Sequence, residues 1–389
     1  ATFTMSEGNK YNYPRDYYAI INNCNYFIKN VNTEMKNNRG ENVFLNEFAV
    51  VKAVRAWTYL QLVTTYGEVP FITEPILTKE DGDLAYADNG NRKNIQQVCD
   101  YFLNEDGLQD LAAKLADTYP PSPYPYYGDI KGTPSRLFYI QLNLILGDLY
   151  LWRASFTNSQ DDYLKAAERY YTYITQRNGN TASSSYPLSM NRVAWNDTKW
   201  ATGGFPVNTW GSMFTDESNS AQSEVITVIP MDSVKSEGYY SELRSIFCTA
   251  YNDNNQMELV PSQSLKELSY AQNFCLFDQE TKKTVYAPKN IGSNYDGDLR
   301  LAFAWSSNEN AVNDKGERYT SQTISKFLTK NGNVNIYRRG QVYLRFAEAM
   351  NRAGFPRYAF HILATGVNSE VLDLCINPYL SEADIDALA

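Results

Sequence analysis

The sequence predicts a mainly α-helical fold, built of paired helices and interrupted by a large loop-rich insertion. Apolar residues recur at helical spacing over much of residues 16–178, and the pattern returns near residue 338. Between them Ser, Thr, Asn, Gly and Trp dominate, and the helical period is lost. The chain has 389 residues and 43% hydrophobic content, which is enough to bury a sizeable core. We expect a single domain over residues 1–389, with a scaffold over about 16–178 and 338–389 and a loop-rich portion over about 179–337.

Three helices are predicted near the N-terminal end, over Asp16–Lys36, Asn46–Tyr66 and Asn94–Ala116. Gly40 is expected to end the first. Gly67 follows the second and gives the backbone freedom to leave the helix. The next residues, 69–76, are apolar and include two prolines, which favour extended backbone. We therefore expect this segment to lie against the helices as part of the core.

A proline-rich stretch separates these helices from the next pair. Thr118–Gly132 holds four prolines and four tyrosines and is not expected to be helical. Thr133-Pro134-Ser135 is typical of a helix start, and the helix it predicts runs to about Ser155. That helix is apolar on most sides, which predicts burial. Asp161–Gln176 is expected to pair with it as a hairpin.

Fewer regular elements are predicted in the remainder. A short strand is expected at Glu224–Ile229 within the otherwise irregular stretch from Arg177 to about Thr320. Further helices are predicted at Ser241–Ala250, Ser262–Gln272, Gln341–Ala353, Arg357–Thr365, Ser369–Cys375 and Glu382–Leu388.

Two of the predicted hairpins share a pattern of small and large residues. In the C-terminal one, Gly354 makes the turn between Ala347 and Ala359, and Leu363 follows four residues later. Small residues at the closest approach of two helices, with large ones beside them, are typical of tetratricopeptide repeats. The sequence therefore favours tetratricopeptide-like hairpins over unrelated helix pairs. The matching positions of the earlier hairpin are Gly147, Tyr150, Ala166 and Tyr170.

Charge and composition argue against several classes of protein. The net charge of -9 disfavours a nucleic-acid partner, because binding phosphates requires a basic field. No stretch approaches the apolar length of a membrane span, and the N-terminus lacks the basic and apolar regions of a signal peptide. The five cysteines lie far apart without a CxxC motif, which disfavours a disulfide framework or a zinc site and predicts mostly buried free thiols.

Catalytic motifs are lacking in the sequence. His361, the single histidine, lies in an apolar helical context that favours a structural role. Paired acids such as Asp161-Asp162 and Glu105-Asp106 lie at helix starts or turns, where acids commonly cap helices. Asp296 and Asp298 have a spacing that hints at calcium, but the closing glutamate of a calcium loop is missing. We therefore expect a non-catalytic protein without a cofactor, and the question of calcium stays open.

A tryptophan-rich segment is the strongest functional signal. Its aromatic rings alternate with amide and charged side chains. Flat aromatic faces beside hydrogen-bonding groups suit a ligand with one apolar face and many hydroxyls, such as a sugar ring. The alternative is that the tryptophans pack a long loop onto the helices. The tyrosines of "YPYYGD" form a second candidate by the same argument. The predicted ligand-binding residues are Trp195, Asn196, Asp197, Trp200, Trp210, Tyr126 and Tyr127.

Several segments, in one order, resemble the SusD-like (RagB/SusD) family. "RAWTYLQLVTTYGEVPFITEPI" is similar to the helix-to-loop signature of that family, and "KGTPSRLFYIQLNLILGDLYLWRA" is similar to its next signature helix. "ELVPSQSLKELS", "YDGDLRL" and "YRRGQVYLRFAEAMNRAG" come next, in the family's order. The matches span about residues 16–360, and such an ordered set is more specific than any one motif.

The resemblance implies a SusD-like fold and a non-catalytic lipoprotein on the outer face of the outer membrane of Bacteroidetes. Such proteins capture oligosaccharides or polysaccharides and pass them to a SusC-like TonB-dependent transporter. The resemblance also implies a chain trimmed at both ends, because family members begin at a lipidated cysteine, their only membrane attachment, and continue further. Glycan contacts vary within the family, so none is carried over by motif. A tetratricopeptide-type scaffold for proteins or peptides is the alternative, and an all-α glycoside hydrolase is less favoured.

Overall fold

The computed structural model describes residues 12–116, 128–130, 133–176, 225–231, 262–272, 274–278, 283–287, 305–312, 315–324 and 334–365. Helices dominate these residues, so the predicted mainly α-helical class is confirmed. The helices are α1 (Pro14–Asn30), α2 (Leu45–Tyr66), α3 (Lys79–Ala87), α4 (Ile95–Asn104), α5 (Leu108–Lys114), α6 (Leu142–Thr157), α7 (Gln160–Gln176), α8 (Gln263–Tyr270), α9 (Arg339–Arg352) and α10 (Pro356–Thr365).

The described strands form two-stranded antiparallel sheets, β1–β2, β3–β4, β5–β10, β6–β7 and β8–β9. Short 3₁₀ turns occur at Asn89–Asn91 and Ser135–Phe138. The strands are β1 (Val69–Pro70), β2 (Arg92–Lys93), β3 (Asp129–Ile130), β4 (Thr133–Pro134), β5 (Val225–Ile229), β6 (Phe274–Asp278), β7 (Lys283–Ala287), β8 (Trp305–Val312), β9 (Arg318–Ile324) and β10 (Val334–Arg338).

The chain divides into two compact units. The first comprises residues 1–128, 139–189 and 341–389, and the second comprises 129–138 and 190–340. The first unit contains α1–α7, α10 and nearly all of α9, and the second contains α8 and the strands β3–β10. This division does not test the predicted single domain with its two-part scaffold, which stays a prediction.

Helix α1 begins with Pro14 in its first turn and ends at Asn30, six residues before the predicted end at Lys36. Two asparagines after the helix explain the difference. Asn32 accepts a hydrogen bond from the Glu34 amide at 3.0 Å, and Asn37 accepts one from the Arg39 amide at 2.8 Å. Such local side-chain bonds offer the backbone an alternative to the helix.

Helix α2 ends at Tyr66 as predicted, where Gly67 takes a positive φ of 78° and donates its amide to the Val63 carbonyl. We call the residues beyond it, Val69–Ile76, the proline segment. Its Val69 and Phe71 side chains are buried, which confirms the predicted place of this segment in the core. The Phe71 ring lies 4.6 Å from the ring of Tyr59, centroid to centroid.

The polar backbone groups of the proline segment are bound by side chains from one stripe of α1. Tyr18, Asn22, Asn25 and Lys29 are spaced three or four residues apart and therefore share a helix face. This arrangement satisfies carbonyls that burial would otherwise leave unpaired. The bonds are Tyr18 to the Pro70 carbonyl (2.9 Å), Asn22 to the Ile76 carbonyl (2.9 Å) and from the Ile76 amide (2.6 Å), Asn25 to the Ile72 (2.9 Å) and Glu74 (3.2 Å) carbonyls, and Lys29 to the Glu74 carboxylate (2.8 Å).

Two further groups complete the bonding of this segment. The Tyr59 hydroxyl on α2 accepts from the Ile72 amide and donates to the Ile72 carbonyl, both at 2.7 Å. The Phe71 amide donates to the Asn91 carbonyl at 2.7 Å. An extended chain is thus held mainly by helix side chains, with only the two-residue strand β1 in a sheet.

A buried ionic cluster lies beneath this contact. Arg55 donates to the side-chain oxygen of Asn25 at 2.9 Å and, with its other terminal nitrogen, to the Asp106 carboxylate. The Lys52 ammonium lies 3.4 Å from the second oxygen of that carboxylate. The side chains of Arg55 and Asp106 are 4% and 0% exposed, so each charge depends on the other for its solvation.

The single helix predicted over Asn94–Ala116 is wrong, because α4 ends at Asn104 and α5 begins at Leu108. Gly107 between them takes a left-handed φ of 78°. This break lets Asp106 turn inward to Arg55, an interaction with a residue 51 positions away that helical periodicity does not reveal.

The helix predicted from Thr133 to Ser155 is also wrong at its start, because α6 begins only at Leu142. Thr133 pairs with Ile130 in the β3–β4 hairpin. The next element, a 3₁₀ turn, places Leu137 in a small apolar cluster with Val225 and Val228 of β5. Tertiary packing therefore overrides the local helix-start signal.

The α6–α7 hairpin forms as predicted, with Gly147 at its closest approach. A Cβ built on Gly147 would lie 2.7 Å from the Tyr170 ring, so only glycine fits. The Tyr170 hydroxyl donates to the Asp148 carboxylate at 2.6 Å, and Arg345 on α9 donates to the same carboxylate at 2.6 Å.

The C-terminal hairpin of α9 and α10 also forms at its predicted position. Ala347 and Ala359 are buried and Gly354 takes a φ of 96° in the turn. Leu363, which the repeat pattern predicts in the place that Tyr170 takes in the earlier hairpin, is exposed, and Ile362 is buried. The buried face of α10 therefore lies one residue from the predicted one, and the repeat stays a prediction at the level of residue register.

The predicted burial of the second signature helix holds only for part of it. Residues from Leu142 to Tyr150 of α6 are mostly buried, whereas Trp152 and Phe156 are 41% and 55% exposed. The apolar composition of this end of the helix does not by itself distinguish a core face from a surface.

The strand at Glu224–Ile229 and the helix at Ser262–Gln272 are confirmed as β5 and α8. The other strands of the insertion are not predicted by the sequence pattern. Strands such as β8 ("WSSNENAV") are polar and lack the alternation that marks a half-buried strand. The helices predicted at Ser241–Ala250, Ser369–Cys375 and Glu382–Leu388 lie outside the described residues.

Removing one partner of the buried ionic cluster should strongly destabilise the fold. We expect Asp106→Ala to lower the free energy of unfolding by about 3–5 kcal/mol, because Arg55 is left buried without its counter-ion. Urea denaturation of the single variants Asp106→Ala and Arg55→Met, and of the double variant, measures the loss and the coupling. If the losses of the two single variants sum to the loss of the double variant within about 0.5 kcal/mol, the two residues do not act as a pair. Lys29→Met, at an exposed pair with Glu74, is the control and should cost less than about 1 kcal/mol.

Overpacking the α6–α7 contact should destabilise it in spite of better helix propensity. We expect Gly147→Ala to cost about 1–3 kcal/mol, because the new methyl group meets the Tyr170 ring. Gly82→Ala in α3 is the matched control, since its Cβ would meet only Ile76 at 3.7 Å and should stabilise by about 0.5–1 kcal/mol. Equal effects of the two substitutions on the thermal midpoint would contradict the close approach.

Candidate functional site

The predicted ligand-binding residues lie outside the described residues. Neither the tryptophan segment nor the tyrosine segment is described at these positions, and the role of the two segments as a ligand site stays a prediction. The residues concerned are Trp195, Asn196, Asp197, Trp200, Trp210, Tyr126 and Tyr127.

The element directly after the tyrosine segment is a short hairpin of the described chain. Gly128 takes a positive φ of 72° and leads into β3 and β4, in which Asp129 pairs with Pro134 and Ile130 with Thr133. The chain then enters the Ser135–Phe138 turn. The chain thus passes from the tyrosine segment into β3, the first element of the second unit.

The Ser135–Phe138 turn packs on β5, the strand that follows the tryptophan segment (residues 195–210) along the chain. Leu137 and Phe138 contact Val225 and Val228 of β5, and β5 pairs in turn with β10. Both aromatic segments therefore lead along the chain into one small apolar cluster of the second unit.

The ionic cluster of Lys52, Arg55 and Asp106 is the main electrostatic feature of the described residues, and the sequence pattern does not predict it. Burial raises the pKa of the Asp106 carboxyl, an effect that Arg55 and Lys52 oppose. Burial also lowers the pKa of Lys52, against the attraction of Asp106. Because Lys52 and Arg55 both bind Asp106, and Arg55 also binds the side chain of Asn25, we assign the three groups a structural role.

The acids at the start of α7 are held in ion pairs. Arg153 donates to Asp162 at 2.8 Å and 2.6 Å and to Asp100 at 3.0 Å, and Lys165 lies 2.6 Å from Asp161. The predicted structural role of this acid pair fits these contacts. In the part of the chain that is described, no group of three or more His, Cys, Asp or Glu side chains could hold a metal ion.

Two cysteines are buried free thiols, as predicted. Burial raises the pKa of Cys24 to about 11 and that of Cys99 to about 12, so neither is a thiolate nucleophile at neutral pH. His361 lies within α10, and the structure does not describe its side chain. None of the described helices is both long enough and apolar enough to cross a membrane.

Known proteins resemble this chain in structure more clearly than in sequence. No family model and no curated protein matches it. A SusD superfamily protein from Bacteroides thetaiotaomicron VPI-5482 superposes with a TM-score of 0.52 at 18% identity, covering 90% of this chain and 65% of that one. A SusD-like carbohydrate binding protein from Bacteroides fragilis NCTC 9343 gives a TM-score of 0.51 at 14% identity, covering 94% of this chain and 69% of that one. The SusD-like fold expected from the sequence is therefore confirmed.

We expect alkaline pH to destabilise the scaffold, because burial opposes ionisation of two tyrosine hydroxyls and one cysteine thiol in the folded state. Burial raises the pKa of Tyr18 to about 12 and that of Cys24 to about 11, and it raises the pKa of Tyr59 as well. Each folded-state pKa exceeds the unfolded value, so this stability is complete below about pH 9 and is lost as the pH rises towards 11–12. We expect the free energy of unfolding, measured in urea, to fall above about pH 9 by up to about 1.4 kcal/mol per pH unit for each such group.

The substitution Tyr18→Phe removes one of these groups and should make the fall with pH less steep. Tyr26→Phe, at an exposed tyrosine of the same helix, is the control and should leave the slope unchanged. A slope that is the same in Tyr18→Phe and in the unmodified protein would contradict the assignment.

Proposed function

We propose that this protein is a SusD-like glycan-binding protein, which captures an oligosaccharide or polysaccharide and performs no chemistry on it. The observation that carries the proposal is the SusD-like fold, which the chain shares over most of its length with solved structures. One of those proteins is described as carbohydrate binding, which supports the same class of ligand here.

The residues proposed to bind the glycan are the aromatic and polar residues of the two loop segments. Trp195, Trp200 and Trp210 would stack on sugar rings, since the apolar face of a pyranose suits a flat aromatic surface. Asn196 and Asp197 would bind its hydroxyls, because amides and carboxylates accept or donate the required hydrogen bonds. Tyr126 and Tyr127 would contribute a second aromatic surface, in the segment that leads into β3.

The proposed setting is the outer face of the outer membrane, where a lipid anchor would hold the protein beside a SusC-like TonB-dependent transporter. The ordered sequence resemblance to the SusD-like family supports this setting. A net charge of -9 supports a neutral or cationic ligand over a nucleic acid.

The first test is binding to a panel of soluble polysaccharides by affinity electrophoresis and isothermal titration. We expect at least one to bind with micromolar to millimolar affinity and without release of reducing ends. Trp195→Ala, Trp200→Ala and Trp210→Ala should each be measured, and at least one should weaken binding by about tenfold, or about 1.4 kcal/mol. Tyr26→Ala, at an exposed tyrosine outside the predicted segments, is the control and should bind normally.

The outcomes separate the parts of the proposal. Binding that survives all three tryptophan substitutions would reject these site residues but retain the function. A panel without any ligand would reject glycan binding and would favour a protein- or peptide-binding scaffold. Turnover of a bound glycan would reject the non-catalytic assignment. Growth on the bound glycan that is unaffected by deleting the gene would reject the uptake role.

A further inference from the structure

The dipeptide Asp81–Gly82, at the start of α3, belongs to a chemically labile class of sequence. In an aspartyl-glycine sequence the glycine nitrogen can attack the aspartyl side chain, because glycine has no Cβ to hinder the approach. The other sequences of this class in the chain are Asp106–Gly107 and Asp296–Gly297. Asp81 and Gly82 are both partly exposed, so water can reach the bond between them.

The reaction of this dipeptide converts aspartate into isoaspartate and conserves every atom. The Gly82 nitrogen forms a bond with Cγ of the protonated Asp81 side chain, and the carboxyl hydroxyl leaves with the amide proton as water. Water then opens the five-membered imide ring. Opening at the former main-chain carbonyl leaves Gly82 linked through Cγ, which adds one carbon atom to the backbone.

The Asp81 carboxylate is bound by the amides that precede α3. One of its oxygens accepts a hydrogen bond from the Thr78 amide at 2.9 Å and another from the Leu77 amide at 3.1 Å. These hydrogen bonds lower the pKa of the Asp81 carboxyl. Only the protonated carboxyl can lose its hydroxyl as water, so the reactive form is scarcer in the folded protein than in the unfolded chain.

The Gly82 nitrogen is bound in the same turn. Its N–H donates to the Thr78 carbonyl at 3.2 Å, and the Thr78 hydroxyl accepts from the Asp81 amide at 3.1 Å. Thr78 and Asp81 thus form a capping box, in which the side chain of each binds the backbone of the other. The attacking nitrogen and the carboxyl group are therefore both held while the cap is closed.

We infer that Asp81–Gly82 is a latent isomerisation site, which the capping box of Thr78 and Asp81 keeps inactive. Local opening of the helix start would release the Gly82 nitrogen and the Asp81 carboxyl together, so the reaction would proceed from the open state. Isoaspartate could not rebuild the box, because its free carboxylate is attached directly to Cα. The modification would therefore make the loss of this helix start irreversible.

The chain offers a matched internal comparison at the break between α4 and α5. The tripeptide Glu-Asp-Gly occurs at residues 80–82 and again at residues 105–107, so the two sites share their local chemistry in the unfolded chain. Asp106 is bound by Arg55 instead of a helix cap, and its side chain is 0% exposed. A change in the cap of α3 should therefore affect Asp81 and leave Asp106 unchanged.

The test measures isoaspartate at both sites by peptide mapping, after incubation of the whole chain in mildly acidic buffer with and without denaturing urea. We expect similar rates at the two sites in urea, and a rate at Asp81 that is at least about tenfold lower in the folded protein. Thr78→Ala should raise the rate at Asp81 in the folded protein about fivefold, which is the effect of one N-cap bond on the opening equilibrium. Thr78→Ser keeps the cap hydroxyl and should retain the protection.

The chemical control is Gly82→Ala, whose Cβ hinders the attack and should strongly lower isoaspartate at position 81 even in urea. The urea midpoint of each variant shows whether it is folded, and the ratio of rates in the unmodified protein tests the inference without any substitution. Equal rates at Asp81 in folded and unfolded protein, or an unchanged rate in folded Thr78→Ala, would overturn the inference. An equal acceleration at Asp106 would assign the effect to general loosening of the fold and would also overturn it.

Discussion

The fold depends on satisfying the backbone of an extended segment that is buried among helices. Val69–Ile76 enters the core with only two of its residues in a sheet, so most of its carbonyls require other partners. Side chains along one face of α1 supply them, and Asn22 binds both polar groups of Ile76, much as a neighbouring strand would. A helix that replaces a strand in this way must have one rotation and one axial position, because its donors have to meet carbonyls at fixed spacing.

The same constraint passes from α1 to the rest of the N-terminal helices. Asn25 binds the proline segment with its amide nitrogen and Arg55 with its oxygen, and Arg55 in turn binds Asp106 at the break between α4 and α5. Asn25 and Arg55 are thus each held by two sets of partners, so the network acts as a unit. Replacing the ions with apolar residues of similar volume could preserve stability. It would remove the polar contacts that specify how α1, α2 and α4 meet.

Features that are decided locally are predictable from the sequence, whereas those decided by distant partners are not. The spans of α2 and α7 agree with periodicity, and the path after Gly67 agrees with glycine and two prolines. The break at Gly107 depends on Arg55, and the late start of α6 depends on the packing of Leu137, neither of which a periodic pattern contains. The polar strands of the insertion lack a one-sided apolar pattern. Candidate ligand residues could be predicted only from residue types that suit sugars. A loop sequence has no helical or strand periodicity from which the location of a side chain in the fold can be predicted. The exposure of Trp152 and Phe156 at the end of the apolar helix α6 is likewise visible only in the structure.

The bond between Asp148 and Arg345 has a consequence for how such proteins can diversify. It joins residues 197 positions apart, one on each side of the insertion in the chain. The entropic cost of closing so long a loop rises only logarithmically, by about 0.6 kcal/mol for each doubling of its length. Evolution could therefore lengthen, shorten or replace the intervening segment at little thermodynamic penalty while this junction persists. By the same logic, a ribosome must synthesise the insertion and the chain as far as Arg345 before the carboxylate of Asp148 can bind this arginine, so the junction forms only after the insertion has been made.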